Sequence, residues 1–287
     1  MRLISDIKQL KLVLNSFKNE GNRIGFVPTM GALHAGHLAL VRKAKNENTL
    51  CVCSIFVNPT QFNNAEDLKK YPRTLESDLQ LLETENCDIV FLPTVNDMYP
   101  QGYNPIGVNL NGLDTRMEGA HRPGHFAGVV TVVSLFFDYV EPHKAYFGEK
   151  DFQQMRIIQR MTTEQKREIE IVPCPIIREE NGLAMSSRNK RLSENGKSIA
   201  SNIYKSLCFA SENANKYPLN GLIENVKSQL SVFPEFEIEY IEVLSESDLL
   251  PIDKRNAETK ARMFVALYLE GVRLIDNMPL HLFESNQ

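Results

Sequence analysis

Residues 25–37 read Gly25-Phe-Val-Pro-Thr-Met-Gly-Ala-Leu-His-Ala-Gly-His37. The apolar residues Ile24 to Val27 predict a short strand that Pro28 stops. A glycine-containing loop follows, then a helix carrying His37, Leu38, Leu40, Val41 and Ala44. His34 and His37 form an H-x-G-H motif at the start of that helix. A helix N-terminus offers unbonded N–H groups and the positive end of a dipole, which suits phosphate. Gly31 and Gly36 would let the backbone approach a nucleotide closely. Two imidazoles beside phosphate can donate to the charge that develops as a phosphoryl bond breaks. The plainer reading is a polar turn whose histidines only cap a helix.

Outward from this stretch, strand and helix alternate. Leu3, Ile7, Leu10, Leu14 and Phe17 repeat at helical spacing and predict an N-terminal helix. Leu50 to Val57 is a continuous apolar run, the pattern of a strand covered on both faces. Further helices are expected around Leu75–Leu82, Val129–Val140 and Asp151–Met161, and further strands at Asp88–Leu92, Lys144–Phe147 and Glu168–Val172. The alternation predicts a Rossmann-like α/β fold, a doubly wound parallel sheet whose ligand binds at the strands' C-terminal ends. After about Ile177 the pattern changes. Two helical stretches and three strand-like ones predict a second, smaller α+β domain. The expected domains are 1–177 and 178–287.

Composition narrows the function. The chain has 287 residues, of which 43% are hydrophobic and 24% charged, ordinary for a globular protein. Its net charge of −4, with no basic block, disfavours nucleic acid as a partner. Cys51, Cys53, Cys87, Cys174 and Cys208 form no C-x-x-C pair, so neither a disulfide framework nor a zinc site is expected. Cys51 and Cys53 should share one face of a strand as buried thiols. The N-terminus lacks an unbroken apolar segment, and no apolar stretch is long enough to span a bilayer. The expected location is cytoplasmic.

Three more stretches carry chemistry. Asn181-Gly-Leu-Ala-Met-Ser-Ser-Arg-Asn189 sets two hydroxyls and a guanidinium in a loop, good partners for phosphate oxygens, although ordinary surface loops look similar. Tyr146-Phe-Gly-Glu-Lys-Asp-Phe-Gln-Gln154 joins a strand end to a helix start. There Lys150 can meet phosphate and Gly148 gives backbone access. Asp151 can accept from a ribose hydroxyl or simply cap its helix. Gln154 lies one turn beyond Lys150 on the same side. Phe56-Val-Asn-Pro-Thr-Gln-Phe62 follows the second buried strand. Gln61 would project there, and an amide both donates and accepts, which fits a hydroxy acid. In isolation the stretch is a turn.

Together these stretches resemble the pantothenate synthetase (pantoate–β-alanine ligase) family, within the nucleotidylyltransferase superfamily that carries the H-x-G-H motif. Tyr71-Pro-Arg-Thr-Leu75, Glu118-Gly-Ala-His-Arg-Pro-Gly-His-Phe126 and Leu274-Ile-Asp-Asn277 extend the resemblance over nearly the whole chain. The resemblance implies two steps. Pantoate attacks the α-phosphorus of ATP and releases pyrophosphate; β-alanine then attacks the acyl adenylate and releases AMP. It implies that Met30, Gly31, Ala32, Leu33, His34, Ala35, Gly36 and His37 bind ATP, with His34 and His37 acting on the phosphates and His37 as the family's proton donor. Gly148, Glu149, Lys150 and Asp151 would hold the nucleotide, with Lys150 on phosphate. Ile177 would lie near adenine, and Met185, Ser186, Ser187 and Arg188 would close over the phosphates. Gln61 and Gln154 would hold pantoate. It further implies Mg²⁺ with the ATP, a homodimer, and a second domain acting as a lid. Asp78 is either a Mg²⁺ ligand or a solvated helix residue. Arg122 and His125 either touch substrate or only order their loop. The family often has methionine where Thr60 stands, which could alter the pantoate pocket. The competing readings are a nucleotidylyltransferase acting on a phosphate-bearing acceptor and a silent nucleotide-binding module. The intact set His34, His37, Lys150 and Arg188 argues against the silent module.

Overall fold

The computed structural model describes residues 1–62, 65–100, 105–252 and 260–282. It divides into two units, Met1–Pro175 and Ile176–Gln287. The sequence places this break at 177/178, so Ile177 belongs to the second unit rather than the first.

The first unit holds strands β1 (Arg2–Ile4), β2 (Ile24–Thr29), β3 (Leu50–Ile55), β4 (Ile89–Phe91), β5 (Lys144–Gly148) and β6 (Glu170–Cys174). They form one sheet in the order β1-β4-β3-β2-β5-β6, and every neighbouring pair is parallel. Its helices are α1 (Ile7–Asn19), α2 (Ala35–Glu47), α3 (Ala65–Lys70), α4 (Leu75–Thr84), α5 (Val95–Met98), α6 (Glu118–His121), α7 (His125–Val140) and α8 (Phe152–Glu164).

Residues of β2 alternate between two covered faces. Val27 joins a core with Leu40, Val41 and Ala44 of α2 and Leu82 of α4. Phe26 points the other way and meets Phe136 and Phe137 of α7 at ring-centroid distances of 5.6 and 6.5 Å. Sheets covered on both faces need the continuous apolar runs that the sequence displays. Cys51 and Cys53 lie together in the α2 face, buried and free of disulfides.

Two sequence expectations need correction. Leu3 lies in β1, not in the N-terminal helix. Asp6 caps α1 by accepting from the Gln9 N–H at 2.7 Å, so the helix starts at Ile7. Pro28 does not stop β2, which runs on to Thr29. Ile24 exchanges hydrogen bonds with His143 on the β5 side, and Pro28, four residues on, turns its nitrogen to that same side. Pairing with β5 ends at Phe26, so the missing N–H leaves no ladder bond unmade.

From β2 the chain builds β3 and β4 to one side, then returns to place β5 and β6 on the other. The order therefore reverses between β2 and β5. In open α/β sheets that crevice is where ligands sit.

The second unit contains α9 (Glu194–Glu212), α10 (Leu219–Leu230) and an antiparallel sheet of β7 (Glu237–Ser245), β8 (Ala261–Leu269) and β9 (Val272–Leu280). Leu207, Leu222 and Val226 of the helices share one core with Met263, Val265 and Leu267 of β8.

Candidate functional site

Beyond Thr29 the chain makes a tight turn into α2. Gly31 has φ +78° and Ala32 φ +51°, the left-handed region. A Cβ on Gly31 would come within 3.0 Å of Asp78 Oδ2, so glycine is required there by both conformation and space. Asp78 is the brace of this loop. Its carboxylate accepts the N–H groups of Ala32 (2.9 Å) and Leu33 (2.8 Å) and the Thr74 hydroxyl (3.1 Å). At 2% exposure it is not a solvated helix residue. A solvated helix residue would be exposed, and here both oxygens are committed to the protein.

The brace sets α2 so that its N-terminus opens at the switch point. His34 is the N-cap, its Nδ1 accepting the Gly36 N–H at 3.2 Å, and the first turn holds no acidic residue. That leaves the positive helix end uncompensated by its own side chains. The His34 and His37 rings lie 4.1 Å apart between centroids. Burial, then the charges of His34 and Lys150, push the His37 pKa down to about 3. The ring is thus neutral at pH 7, with one N–H to donate. Its Nδ1 is enclosed, with no hydrogen-bond partner among the described residues.

Lys150 arrives from the neighbouring strand. It sits in a 3-10 turn, Glu149–Asp151, that begins where β5 ends at Gly148. A Cβ on Gly148 would meet no protein atom within 4 Å, so the backbone there faces open space. Asp151 occupies the N-cap position of α8 but makes no side-chain cap bond, so the simple capping reading fails. Gln154 lies in the first turn of α8 and is half-buried.

The loop after β3 brings in the amide. Asn58 caps a 3-10 turn, Pro59–Gln61, and is 1% exposed. Its Nδ2 donates to Gln61 Oε1 at 3.0 Å and to the Gly128 carbonyl at 3.1 Å. Its Oδ1 accepts from the Tyr99 hydroxyl at 2.7 Å and the Thr60 hydroxyl at 2.9 Å. Gln61 therefore turns its NH₂ away from Asn58 and toward the loop before α2, where Nε2 donates to Met30 Sδ at 3.1 Å. Thr60 is exposed and turned back onto Asn58.

Sequence reasoning missed Asn58. The Asn-Pro-Thr order was the available signal, since an Asn before a turn bonds the backbone two residues on. It also left Arg122 and His125 open. His125 is 6% exposed and donates from Nδ1 to the Gln61 carbonyl at 2.8 Å. Arg122 donates to His125 Nε2 at 3.2 Å and pairs with Glu118 at 3.3 Å.

The remaining expected residues lie in the second unit. The Ile177 carbonyl accepts the Met185 N–H at 3.0 Å, closing a small hairpin. Ser186 caps the 3-10 turn Ser187–Arg191, accepting the Arg188 N–H at 3.2 Å. Arg178 anchors the hairpin. It holds Asp276 at 2.6 and 3.0 Å and lies over the Tyr204 ring at 4.1 Å. The Leu274-Ile-Asp-Asn277 stretch is thus an anchor for this loop.

Geometry of this kind puts the chain among Rossmann-like α/β proteins, a class whose ligands sit at the switch point of the parallel sheet. The particular family comes from likeness to known proteins. Residues 2–279 match the family model described as pantoate–β-alanine ligase. The pantothenate synthetase of Cytophaga hutchinsonii is 49% identical over 281 residues, spanning 97% of this chain and 99% of that protein. That of Bacteroides fragilis is 44% identical, spanning 97% and 98%. The solved pantothenate synthetase of Thermus thermophilus superimposes with a TM-score of 0.90 at 40% identity, covering 99% of this chain and all of that one. A Francisella tularensis pantoate–β-alanine ligase, solved with β,γ-ATP and β-alanine, gives 0.80 at 38% identity, with 97% of each chain covered. This chain belongs to the pantoate–β-alanine ligase family.

Proposed function

We infer that this ligase condenses pantoate with β-alanine to pantothenate, using ATP and passing through pantoyl adenylate. One observation carries the reading at the level of the site. The α2 N-terminus carries His34 and His37 with no acidic residue in its first turn, Lys150 lies close enough to act on His37, and the Gln61 amide reaches Met30 in the loop before that helix. A carboxylate is a poor acyl donor, and transfer to AMP supplies a good leaving group.

The pantoate carboxylate attacks the α-phosphorus, forming the P–O bond of the mixed anhydride as pyrophosphate leaves. The β-alanine amine then attacks the acyl carbon, and AMP departs with the bridging oxygen. A carboxylate has no proton to lose in the first step. His34 and His37 therefore act as hydrogen-bond donors to phosphate oxygens rather than as acids. Lys150 adds a fixed positive charge. Met30 to His37 and Gly148 to Asp151 hold the nucleotide, with Asp151 free of a capping bond and able to accept from ribose. Gln61 and Gln154 hold the hydroxy acid.

Mg²⁺ accompanies the triphosphate in this reading. The donor set does not build a protein cage for it. Among the described residues no group of three or more His, Cys, Asp or Glu side chains could hold a metal, and Asp78 is spent on the loop. The ion would be held by phosphate oxygens and water. We also assign the chain to the cytoplasm, where buried thiols stay reduced. No described helix is long and apolar enough to cross a membrane. The family resemblance adds a homodimer, which sedimentation tests.

The test of function is product release from ATP and Mg²⁺ with each acid or amine omitted in turn. Pyrophosphate release should require pantoate, and sustained AMP release should require β-alanine as well. Release that needs neither would return the chain to the nucleotidylyltransferase reading.

A further inference from the structure

Gln61 is held from two directions, and one of them comes from a distant part of the chain. Its side-chain amide is oriented by Asn58. Its backbone is held by the start of α7. His125 donates from Nδ1 to the Gln61 carbonyl at 2.8 Å, and Arg122 Nη2 reaches the same oxygen at 3.5 Å. One turn further along α7, the Gly128 carbonyl accepts from Asn58 at 3.1 Å. Helix and turn meet so closely there that a Cβ on Gly128 would lie 2.6 Å from the Thr60 carbonyl oxygen.

The clamp is built in layers. Arg122 is a donor only, so His125 Nε2 must accept from it, and Nδ1 must carry the proton that Gln61 receives. This needs a neutral ring. Burial, then Arg122, push the His125 pKa down to about 4, which keeps the ring neutral. Glu118 holds Arg122 from the preceding turn. Glu118 is in turn fixed by Gln153 of α8, which accepts the Glu118 N–H at 3.1 Å and donates to the Leu113 and Arg116 carbonyls at 2.8 and 2.9 Å. His125, Glu118 and Gln153 are buried and Arg122 is half-buried.

We propose that His125 and Arg122 are positioning residues of the acid subsite, fixing Gln61 through its backbone carbonyl so that its NH₂ meets the substrate in one orientation. The inference rests on the reading that Gln61 holds pantoate. The Gln61 oxygen accepts from Asn58 and one N–H points to Met30 Sδ, which leaves one N–H donor and one oxygen lone pair for the ligand. The N–H is matched by an acceptor, a carboxylate or hydroxyl oxygen of the acid. A displaced turn would swing that donor away, and small misplacements of a positioning group cost up to about 10²-fold.

The experiment compares His125→Ala, His125→Asn, Gly128→Ala and Gln61→Ala in steady-state AMP release, with KM read separately for pantoate and ATP. The Asn amide can supply the Nδ1 donor at nearly the same place. His125→Ala should raise KM for pantoate about tenfold and leave KM for ATP within about twofold. His125→Asn should recover most of that loss. Gly128→Ala should raise KM for pantoate with His125 intact, which keeps the idea testable if His125→Ala fails to fold. Equal impairment of the Asn and Ala variants would overturn the clamp, as would a parallel rise in KM for ATP. Gln61→Ala separates the two layers. An unchanged pantoate KM in that variant would overturn the acid-subsite reading itself. A raised KM there, with none in His125→Ala, would overturn only the clamp.

Discussion

His37 is held uncharged by burial and by the charges of His34 and Lys150, at the N-terminus of α2. The H-x-G-H motif could be read because strand, loop and helix follow in order, and the structure brings His34, His37 and Lys150 together. Gly31 was read as a point of close approach to nucleotide. The structure gives it a nearer reason, a left-handed backbone packed on Asp78. The His37 environment makes a pH prediction with a definite sign. Its folded pKa of about 3 lies below the ordinary 6.5, so the unfolded chain takes up a proton that the folded one refuses. Its contribution to stability is complete above pH 6.5 and is lost as the pH falls through the window toward 3. His125, at about 4, acts in the same direction. The denaturation midpoint of the native chain should therefore fall between pH 7 and 5, and that of His37→Gln should fall less. Parallel midpoints in the two proteins would show that His37 is already charged in the folded state.

At the scale of elements, strands and helices were legible wherever one apolar pattern ran without competition. Leu3 was misplaced because its spacing fits the helix that follows, while the Asp6 cap and pairing with β4 decide otherwise. Pro28 was read as a strand stop because its cost depends on a neighbour that sequence does not show, the departing β5. The same departure opens the crevice that the site occupies. Asp78 could not be read at all. Its partners, Ala32 and Leu33, lie more than forty residues earlier on another loop, and only the fold joins α4 to the turn before α2. Asp78→Ala would leave two buried N–H groups unbonded, at a cost on the order of 1–3 kcal/mol each. Stability and turnover should fall together in that variant. If Asp78 were a metal ligand instead, turnover would collapse while the urea midpoint held.

For the whole molecule, the change from alternating strand–helix to grouped helices and strands revealed two units and their classes. The parallel six-stranded sheet and the antiparallel three-stranded one follow from those patterns. The chemistry was legible only as a resemblance, since residues from three loops of the first unit and one of the second must be counted together to suggest a two-step ligase. The central claim is that the acid becomes an acyl adenylate. Pantoate labelled with ¹⁸O in its carboxylate tests it directly. Attack on the α-phosphorus makes a carboxylate oxygen the bridge, and attack by the amine leaves that oxygen on AMP. Mass spectrometry of the AMP should find one ¹⁸O for each pantothenate formed. AMP without label, at full pantothenate yield, would contradict the adenylate route.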